Sequence, residues 1–297
     1  MATPEYPSNK NDYDKLFSTE RKCRAYLERL RWADGFICPA CGHNHAWRRG
    51  QSFRQCKGCR CRFSVTAGTV FHGSRYPLRT WFEVAWHICE QKNGISALGL
   101  KRAMGFGSYH TAFRWLHAMR QVMVLPSRNP LDGEVEVDET FVGGVKSGKR
   151  GRGAAGKVLV LIAAEVRGSA IGRIRMKVVP DATMATLTPA VAELVEIGSN
   201  VVTDGWGGYG GMTAAGFNHT ISRYTPAVGK NLLPKVNRVA SLLKRWILGT
   251  HQGSISTDRL PAYLDEFVFR FNRRTAKSRG LLFQRLLIQS VSLRHAD

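Results

Sequence analysis

Acidic side chains are scarce in this 297-residue sequence: 22 Asp and Glu stand against 44 Lys and Arg, a formal charge of +22. An imbalance of that size argues against a cationic partner and points to a polyanion, because basic side chains that neutralise phosphates release condensed counterions. Long apolar runs are missing as well. The longest, Val158 to Ala164, is stopped by Glu165, far short of the ~18 residues that a membrane-spanning helix needs, so no membrane partner is expected. Met1 to Lys15 is polar and holds no apolar leader core, from which a cytoplasmic location is expected. No GxxxxGK[ST] occurs, which excludes a nucleotide-binding P-loop. Core-forming residues are not short: 43% of the chain is hydrophobic, which excludes compositional disorder, and the length suggests two or three folded units of roughly 100 to 200 residues.

Four of the seven cysteines fall in two CxxC pairs, Cys38-Pro-Ala-Cys41 and Cys56-Lys-Gly-Cys59, with fourteen residues between them. Such turns each offer two thiolates to one ion, and four thiolates suit tetrahedral Zn²⁺. A closed set of four leaves no position for water, so this one zinc is structural and organises a DNA-binding or docking element. A thioredoxin-like redox pair would need a single CxxC opening a helix in a βαβ unit, whereas here two knuckles face each other across a short hairpin, Ala46 to Gln55. His43, His45 and Cys61 lie nearby as surface or packing residues. Cys23 and Cys89 read as buried thiols on helices. Ahead of the ribbon, Ser18 or Thr19 can cap a helix whose apolar face is Cys23, Tyr26, Leu27 and Leu30.

From Leu78 to Met123 the apolar spacing is helical: a first helix with Trp81, Val84, Ala85 and Ile88 ends at Asn93-Gly94. A second runs from a Ser96 cap to Met104, and a third from Tyr109 to Met123 follows the turn Gly105-Phe106-Gly107-Ser108. Short helix, glycine turn and basic-aromatic helix read as a helix-turn-helix, and equally as a plain helical linker domain.

Acid is concentrated in one place. Chance would put roughly 0.6 acidic residues in any eight positions by composition, yet Asp132 to Glu139 holds five: Asp132, Glu134, Glu136, Asp138 and Glu139. Alternation puts Val135 and Val137 on one face of a strand and Glu134, Glu136 and Asp138 on the other. A buried strand (Val158 to Val166), a half-exposed strand (Ile171 to Val179) and an amphipathic helix (Met184 to Ile197) follow. Then comes a short strand, Asn200-Val-Val-Thr, that delivers Asp204 ahead of Gly205 at its C-terminal edge. Strand, strand, strand, helix, strand with acids on the first and fourth is the order of an RNase H-like sheet, in which those two strands lie side by side.

The motifs Tyr26-Leu-Glu-Arg-Leu-Arg-Trp-Ala-Asp-Gly-Phe-Ile-Cys-Pro-Ala-Cys41, Val137-Asp-Glu-Thr-Phe-Val-Gly-Gly144, Val202-Thr-Asp-Gly-Trp206, Ser241-Leu-Leu-Lys-Arg-Trp246, Gly249-Thr-His251 and Tyr263-Leu-Asp-Glu-Phe-Val-Phe-Arg-Phe-Asn-Arg-Arg274 occur in order from about Phe17 to Leu287. On these the chain resembles the DDE-class, RNase H-like insertion-sequence transposases of bacteria, in the subgroup with an N-terminal zinc ribbon and a third catalytic residue that is Asn, Glu or His. The resemblance implies an α/β fold: residues 1–75 as helix plus zinc ribbon, 76–130 as a helix-turn-helix-like domain, 131–275 as an RNase H-like mixed-sheet catalytic domain, and 276–297 as a basic tail. It implies binding to the terminal inverted repeats of a mobile element, metal-dependent strand cleavage and strand transfer, double-stranded DNA at element ends and target as partner, a homodimer or larger synaptic complex, and association with the nucleoid.

By the same resemblance Asp138 and Asp204 are the first two catalytic acids. The third falls on a helix after Pro234 whose apolar face is Val236, Val239, Ala240, Leu243 and Trp246. Asn237 and Lys244 are two turns apart on one side of it, with Ser241, so Asn237 is taken as the third member and Glu266 as its rival. Two Mg²⁺ or Mn²⁺ ions, about 3.5 to 4 Å apart as in two-metal sites, are implied, with Asp138 bridging them, Asp204 and Asn237 each completing one shell, and Lys244 on a DNA phosphate. Six glycines and the cations Lys146, Lys149, Arg150, Arg152 and Lys157 between Gly143 and Lys157 suit phosphate tracking beside that site. Arg270, Arg273, Arg274, Lys277, Arg279 and Arg285 form a second basic set, or a solvated helix face. The alternatives are a non-catalytic zinc-ribbon DNA-binding regulator or inactive element copy, and another RNase H-like nuclease such as a junction resolvase.

Overall fold

A computed structural model describes residues 6–50, 53–124, 128–143, 157–225, 231–253 and 255–292. In chain order the elements are α1 (Lys10–Leu16), α2 (Glu20–Arg31), β1 (Ala46–Arg49), β2 (Phe53–Cys56), β3 (Arg62–Ser64), α3 (Leu78–Glu90), α4 (Ala97–Met104) and α5 (Tyr109–Gln121). These are followed by β4 (Glu134–Val142), β5 (Val158–Arg167), β6 (Ala170–Val179), α6 (Met184–Leu194), β7 (Asn200–Thr203), a 3₁₀ turn (Gly207–Tyr209), β8 (Asn218–Ile221), α7 (Pro234–His251), α8 (Leu260–Phe271) and α9 (Arg279–Ser292). They fall into two compact units, Met1–Leu125 with Thr275–Asp297, and Pro126–Arg274.

In the first unit the helix starts are set by side-chain caps. Thr19, Ser96 and Ser108 accept hydrogen bonds from the amides of Lys22, Gly99 and His110, at 3.3, 3.1 and 3.2 Å, satisfying donors that a first turn leaves open. Helix α3 begins at Pro77 without a cap of its own, and the carboxylate of Glu20 accepts from the amides of Leu78 and Arg79 instead, each at 3.0 Å. The antiparallel sheet β1-β2-β3 carries the cysteine knuckles. Cys23 and Cys89 are buried, as the helical periodicity predicts.

Residues 276–297, expected to be a basic tail, hold a helix instead. Leu282, Phe283, Leu286 and Leu287 of α9 are buried, and the helix packs on α2 and α3. Phe283 lies 5.4 to 5.9 Å from the rings of Tyr13, Phe17, Phe82 and Trp86. Arg285 stays exposed, so the basic residues conceal an apolar face that turns this helix into core. The first turn of α9 needs glycine, since a Cβ on Gly280 would stand 1.5 Å from the carbonyl oxygen of Pro7.

The second unit is a five-stranded sheet in the order β6-β5-β4-β7-β8. β4, β5 and β6 are antiparallel neighbours, while β7 runs parallel to β4 and β8 parallel to β7. One sheet face packs on α7 and α8 through Val160, Ile162, Ala164 and Ile174 against Val236, Val239, Leu243 and Phe267. The opposite face packs on α6 through Val135, Val137, Leu161 and Ala163 against Leu187, Val191 and Leu194. This is an RNase H-like α/β arrangement, and it sets β4 in the middle with helices on both faces.

Three members of the predicted second basic set are engaged by packing in this unit. Arg270 donates to Glu266, Arg273 lies over Phe269 and Arg274 over Phe271, at 4.2 and 4.1 Å. No described helix is long and apolar enough to cross a membrane.

Candidate active site and zinc centre

The four knuckle cysteines converge. Their sulfurs all lie within 4.8 Å of one another, with 3.6 Å between Cys38 and Cys59 and between Cys41 and Cys56. A Zn–S bond of about 2.3 Å makes tetrahedral sulfurs about 3.8 Å apart, so the cluster fits one structural zinc. The thiol of Cys41 is pulled down to about 7, first by the backbone amide of His43, which favours the thiolate that a metal takes. Cys61 and the two histidines are exposed.

In the second unit the sheet does the work of assembly. β4 and β7 pair in parallel, with Glu134 opposite Asn200 and Glu136 opposite Val202. Carrying that register two residues further sets Asp204 level with Asp138. The side chain of Asp138 lies on the face that packs on α7, opposite Ile162 of β5. Burial pushes its carboxyl up to about 7, the neighbouring charges of Glu139 and Asp204 push the same way, and a 2.8 Å hydrogen bond from the Glu139 amide and the charge of Lys244 oppose them. Two carboxylates held close, one of them buried, suit a divalent cation. Lys244 on α7 is lowered by burial and by Lys157, and raised by Asp138. Asp138, Asp204, Lys244 and Lys157 thus interact electrostatically in one place.

Asp204 is exposed at the end of β7 and accepts a hydrogen bond from the Trp206 amide at 2.9 Å. The turn depends on Gly205 at φ +83°, where a Cβ would also meet Ile221 at 2.7 Å. Next to it, buried Thr203 contacts His219 Nε2 at 2.9 Å, tying the end of β7 to β8. Asn237 sits in the first turn of α7, and its amide nitrogen donates to Asn231 at 2.8 Å. Its carbonyl oxygen is then the atom left to a hard cation. Glu266, the rival acid, is buried in α8 and its Oε1 accepts from Arg270 at 2.9 Å.

The other acids of β4 have partners that alternation alone does not reveal. Asp132 pairs with Arg167 and Arg173. Glu136 is buried rather than solvated, and one oxygen accepts from the amides of Lys235 and Val236 at the start of α7, at 2.7 and 2.9 Å. Glu139, pointing to the α6 face, accepts from the hydroxyl of fully buried Tyr209 at 2.7 Å. Burial first, and then the charges of Glu139, Asp138 and Asp204, hold that phenol protonated. Sequence reading passed over Tyr209 altogether; its nearness to the Asp204 turn was the only signal. Lys146, Lys149, Arg150 and Arg152 lie outside the described residues.

An RNase H-like sheet with two acids level on adjacent strands, carried with a four-thiolate ribbon, defines a class of DNA-processing proteins. Residues 130–272 match the ISXO2-like transposase domain and residues 18–62 the transposase zinc-ribbon domain. The chain belongs to the insertion-sequence transposases that carry this ribbon. It is also 29% identical over 282 residues, covering 86% of this chain and 92% of the relative, to a protein of Halobacterium salinarum described as an uncharacterized protein in transposable element ISH50.

Proposed function

We propose that the chain binds the terminal inverted repeats of a mobile DNA element and catalyses strand cleavage and strand transfer, acting as a homodimer or larger synaptic assembly. The observation that supports this reading is the parallel pairing of β4 with β7, Glu134 opposite Asn200 and Glu136 opposite Val202, whose continuation would bring Asp204 level with Asp138, together with the electrostatic influence of Asp204 and Lys244 on Asp138. Asp138, Asp204 and the Asn237 carbonyl form an all-oxygen donor set of the kind Mg²⁺ or Mn²⁺ takes. When bound, such ions polarise the phosphodiester and lower the pKa of a nucleophilic water. Asp138 and Asp204 would hold that charge over the scissile bond, and Asn237 would complete the set. Lys244 would take a non-bridging phosphate oxygen, a point-charge role that suits lysine, with Lys157 and the 143–157 segment following the backbone. The commitment of Glu266 to Arg270 favours Asn237 as the third member.

The test is a labelled duplex carrying the sequence that flanks the gene, incubated with the protein in Mg²⁺ or Mn²⁺. A discrete nick at the element end is expected from wild type and from neither Asp138→Ala nor Asp204→Ala, with end binding retained by both. Binding without cleavage by wild type in either metal would make the chain a regulator or an inactive copy. Loss of cleavage in Glu266→Ala, with cleavage spared in Asn237→Ala, would reverse the choice of third residue.

A further inference from the structure

Helix α7 carries both Asn237 and Lys244, yet beyond the proline at its first position nothing in its own sequence caps its start. Leu233 at the cap position offers no side-chain acceptor, and Pro234 has no N–H. The amide of Asn237 already bonds the carbonyl of Leu233 at 3.0 Å. That leaves the amides of Lys235 and Val236 as the donors open at this end, and both are taken by a single oxygen of Glu136. The strand thereby supplies the cap that the helix lacks. Glu136 is only 6% exposed, and its charge faces the positive end of an 18-residue helix. That oxygen of Glu136 is thereby given over to the helix.

We propose that Glu136 is a positioning residue for the reaction: by gripping the first amides of α7 it sets Asn237 and Lys244 against Asp138. Glu136 and Asp138 are two residues apart on one face of β4, roughly 6.6 Å. Asn237 follows the gripped amides directly, and Lys244 lies seven residues on, roughly 10 Å along the helix axis. One strand therefore presents a buried acid to the helix end and a reacting acid to the helix flank. The distance between them is fixed by strand geometry, and a slip of α7 would move Asn237 and Lys244 together. This role rests on the catalytic reading above.

The experiment compares Glu136→Ala and Glu136→Gln with wild type and Asp138→Ala, using the full chain loaded with zinc. Three quantities are read: amide exchange of the peptide spanning residues 235–237 by mass spectrometry, the single-turnover cleavage rate constant at saturating DNA, and the Mn²⁺ concentration for half-maximal cleavage. In Glu136→Ala the exchange should quicken about tenfold, as expected for loss of a helix cap. The rate constant should fall at least about tenfold, as displaced catalytic groups do, with a several-fold higher Mn²⁺ requirement and DNA affinity unchanged. Glu136→Gln keeps a neutral acceptor, should fold where the alanine variant does not, and should fall between the two. Exchange equal to wild type in the glutamine and alanine variants overturns the proposal, as does quickened exchange with wild-type cleavage and Mn²⁺ dependence. Wild-type cleavage by Asp138→Ala overturns the catalytic reading, and the positioning role with it; the exchange measurement tells the two failures apart.

Discussion

The zinc ribbon and the acidic site both bring candidate metal donors together, but they are assembled in opposite ways. In the ribbon, Cys38, Cys41, Cys56 and Cys59 are close in sequence, joined by one small hairpin and by short-range hydrogen bonds such as those from the Cys38 amide to His43 and from the Cys56 amide to Cys61. In the acidic site, Asp138, Asp204 and Asn237 ride on β4, on the end of β7 and on α7. The surrounding sheet and its two apolar faces fix where β4, β7 and α7 lie. The ribbon is built from local turns around a four-thiolate cluster, whereas the acids are set by a sheet that is packed on both faces and hold the cost of burial and of neighbouring like charge. The contrast predicts that removing metal has opposite consequences in the two places.

The largest expected effect lies in the ribbon. Structural zinc in small domains contributes apparent free energies of about 10–16 kcal/mol, so a strong chelator, or Cys56→Ser at a fully buried ligand, should melt residues 38–64 and abolish end binding. The sheet of the second unit should stay folded. Amide exchange by mass spectrometry reads both regions in one experiment. Protection lost equally from β1–β3 and from β4–β7 would mean that the ribbon is not a separately metal-dependent element.

A second test removes packing from the ribbon-bearing unit without touching its ligands. Phe283 of α9 is fully buried among Tyr13, Phe17, Phe82 and Trp86, and Phe283→Ala should cost about 3–5 kcal/mol. Denaturant unfolding followed by tryptophan fluorescence should show that loss with zinc content at one equivalent. A cost below about 1 kcal/mol would restore the reading of 276–297 as a dispensable tail.

Those two outcomes bear on what a sequence can disclose. The ribbon was legible because its ligands are spaced by a local turn, and the helices from Leu78 to Gln121 because apolar spacing and caps such as Ser96 are local as well. The acids of β4 were legible as a face, since period-two alternation fixes which side a residue takes. Alternation does not say what stands opposite. Glu136 is therefore placed on one face with Glu134 and Asp138 and no more, although it meets amides 99 and 100 residues away, and Glu20, capping α3 from 58 and 59 residues away, was no easier to see. The C-terminal helix was misread for a related reason. Lys277, Arg279 and Arg285 continue the basic run that begins at Arg270, while Leu282, Phe283, Leu286 and Leu287 make sense only once α2 and α3 provide a surface to cover.

The acidic site gives a third, smaller effect through pH. The carboxyl of Asp138 lies at about 7 in the folded chain against 3.8 for the free side chain. Between those values the folded state holds a proton that the unfolded state has released, so stability falls as pH rises from about 4 to about 7 and is level above. Each pKa unit of separation is about 1.4 kcal/mol, an upper bound for a group that water partly reaches. Thermal unfolding of the second unit, with zinc present and no Mg²⁺ or Mn²⁺ added, should show this decline, and Asp138→Asn should flatten it and melt higher at pH 8. A decline unchanged in Asp138→Asn would place its source in another group.

The smallest effect concerns the cations beside those acids. Lys157 and Lys244 repel one another, an arrangement that costs stability in the free protein and is relieved when a phosphate lies between them. Each lysine that meets a phosphate should contribute about 0.9 to the slope of log affinity against log salt concentration. Lys157→Ala should therefore weaken duplex binding only a few-fold at low salt, equally for element-end and unrelated sequences, and lower the slope by about one. Fluorescence anisotropy across a salt series measures both quantities. If Lys157→Ala leaves the slope intact, no phosphate lies near the pair. In that case Lys157 would have no part in tracking the backbone, and its repulsion of Lys244 would be a cost that DNA does not relieve.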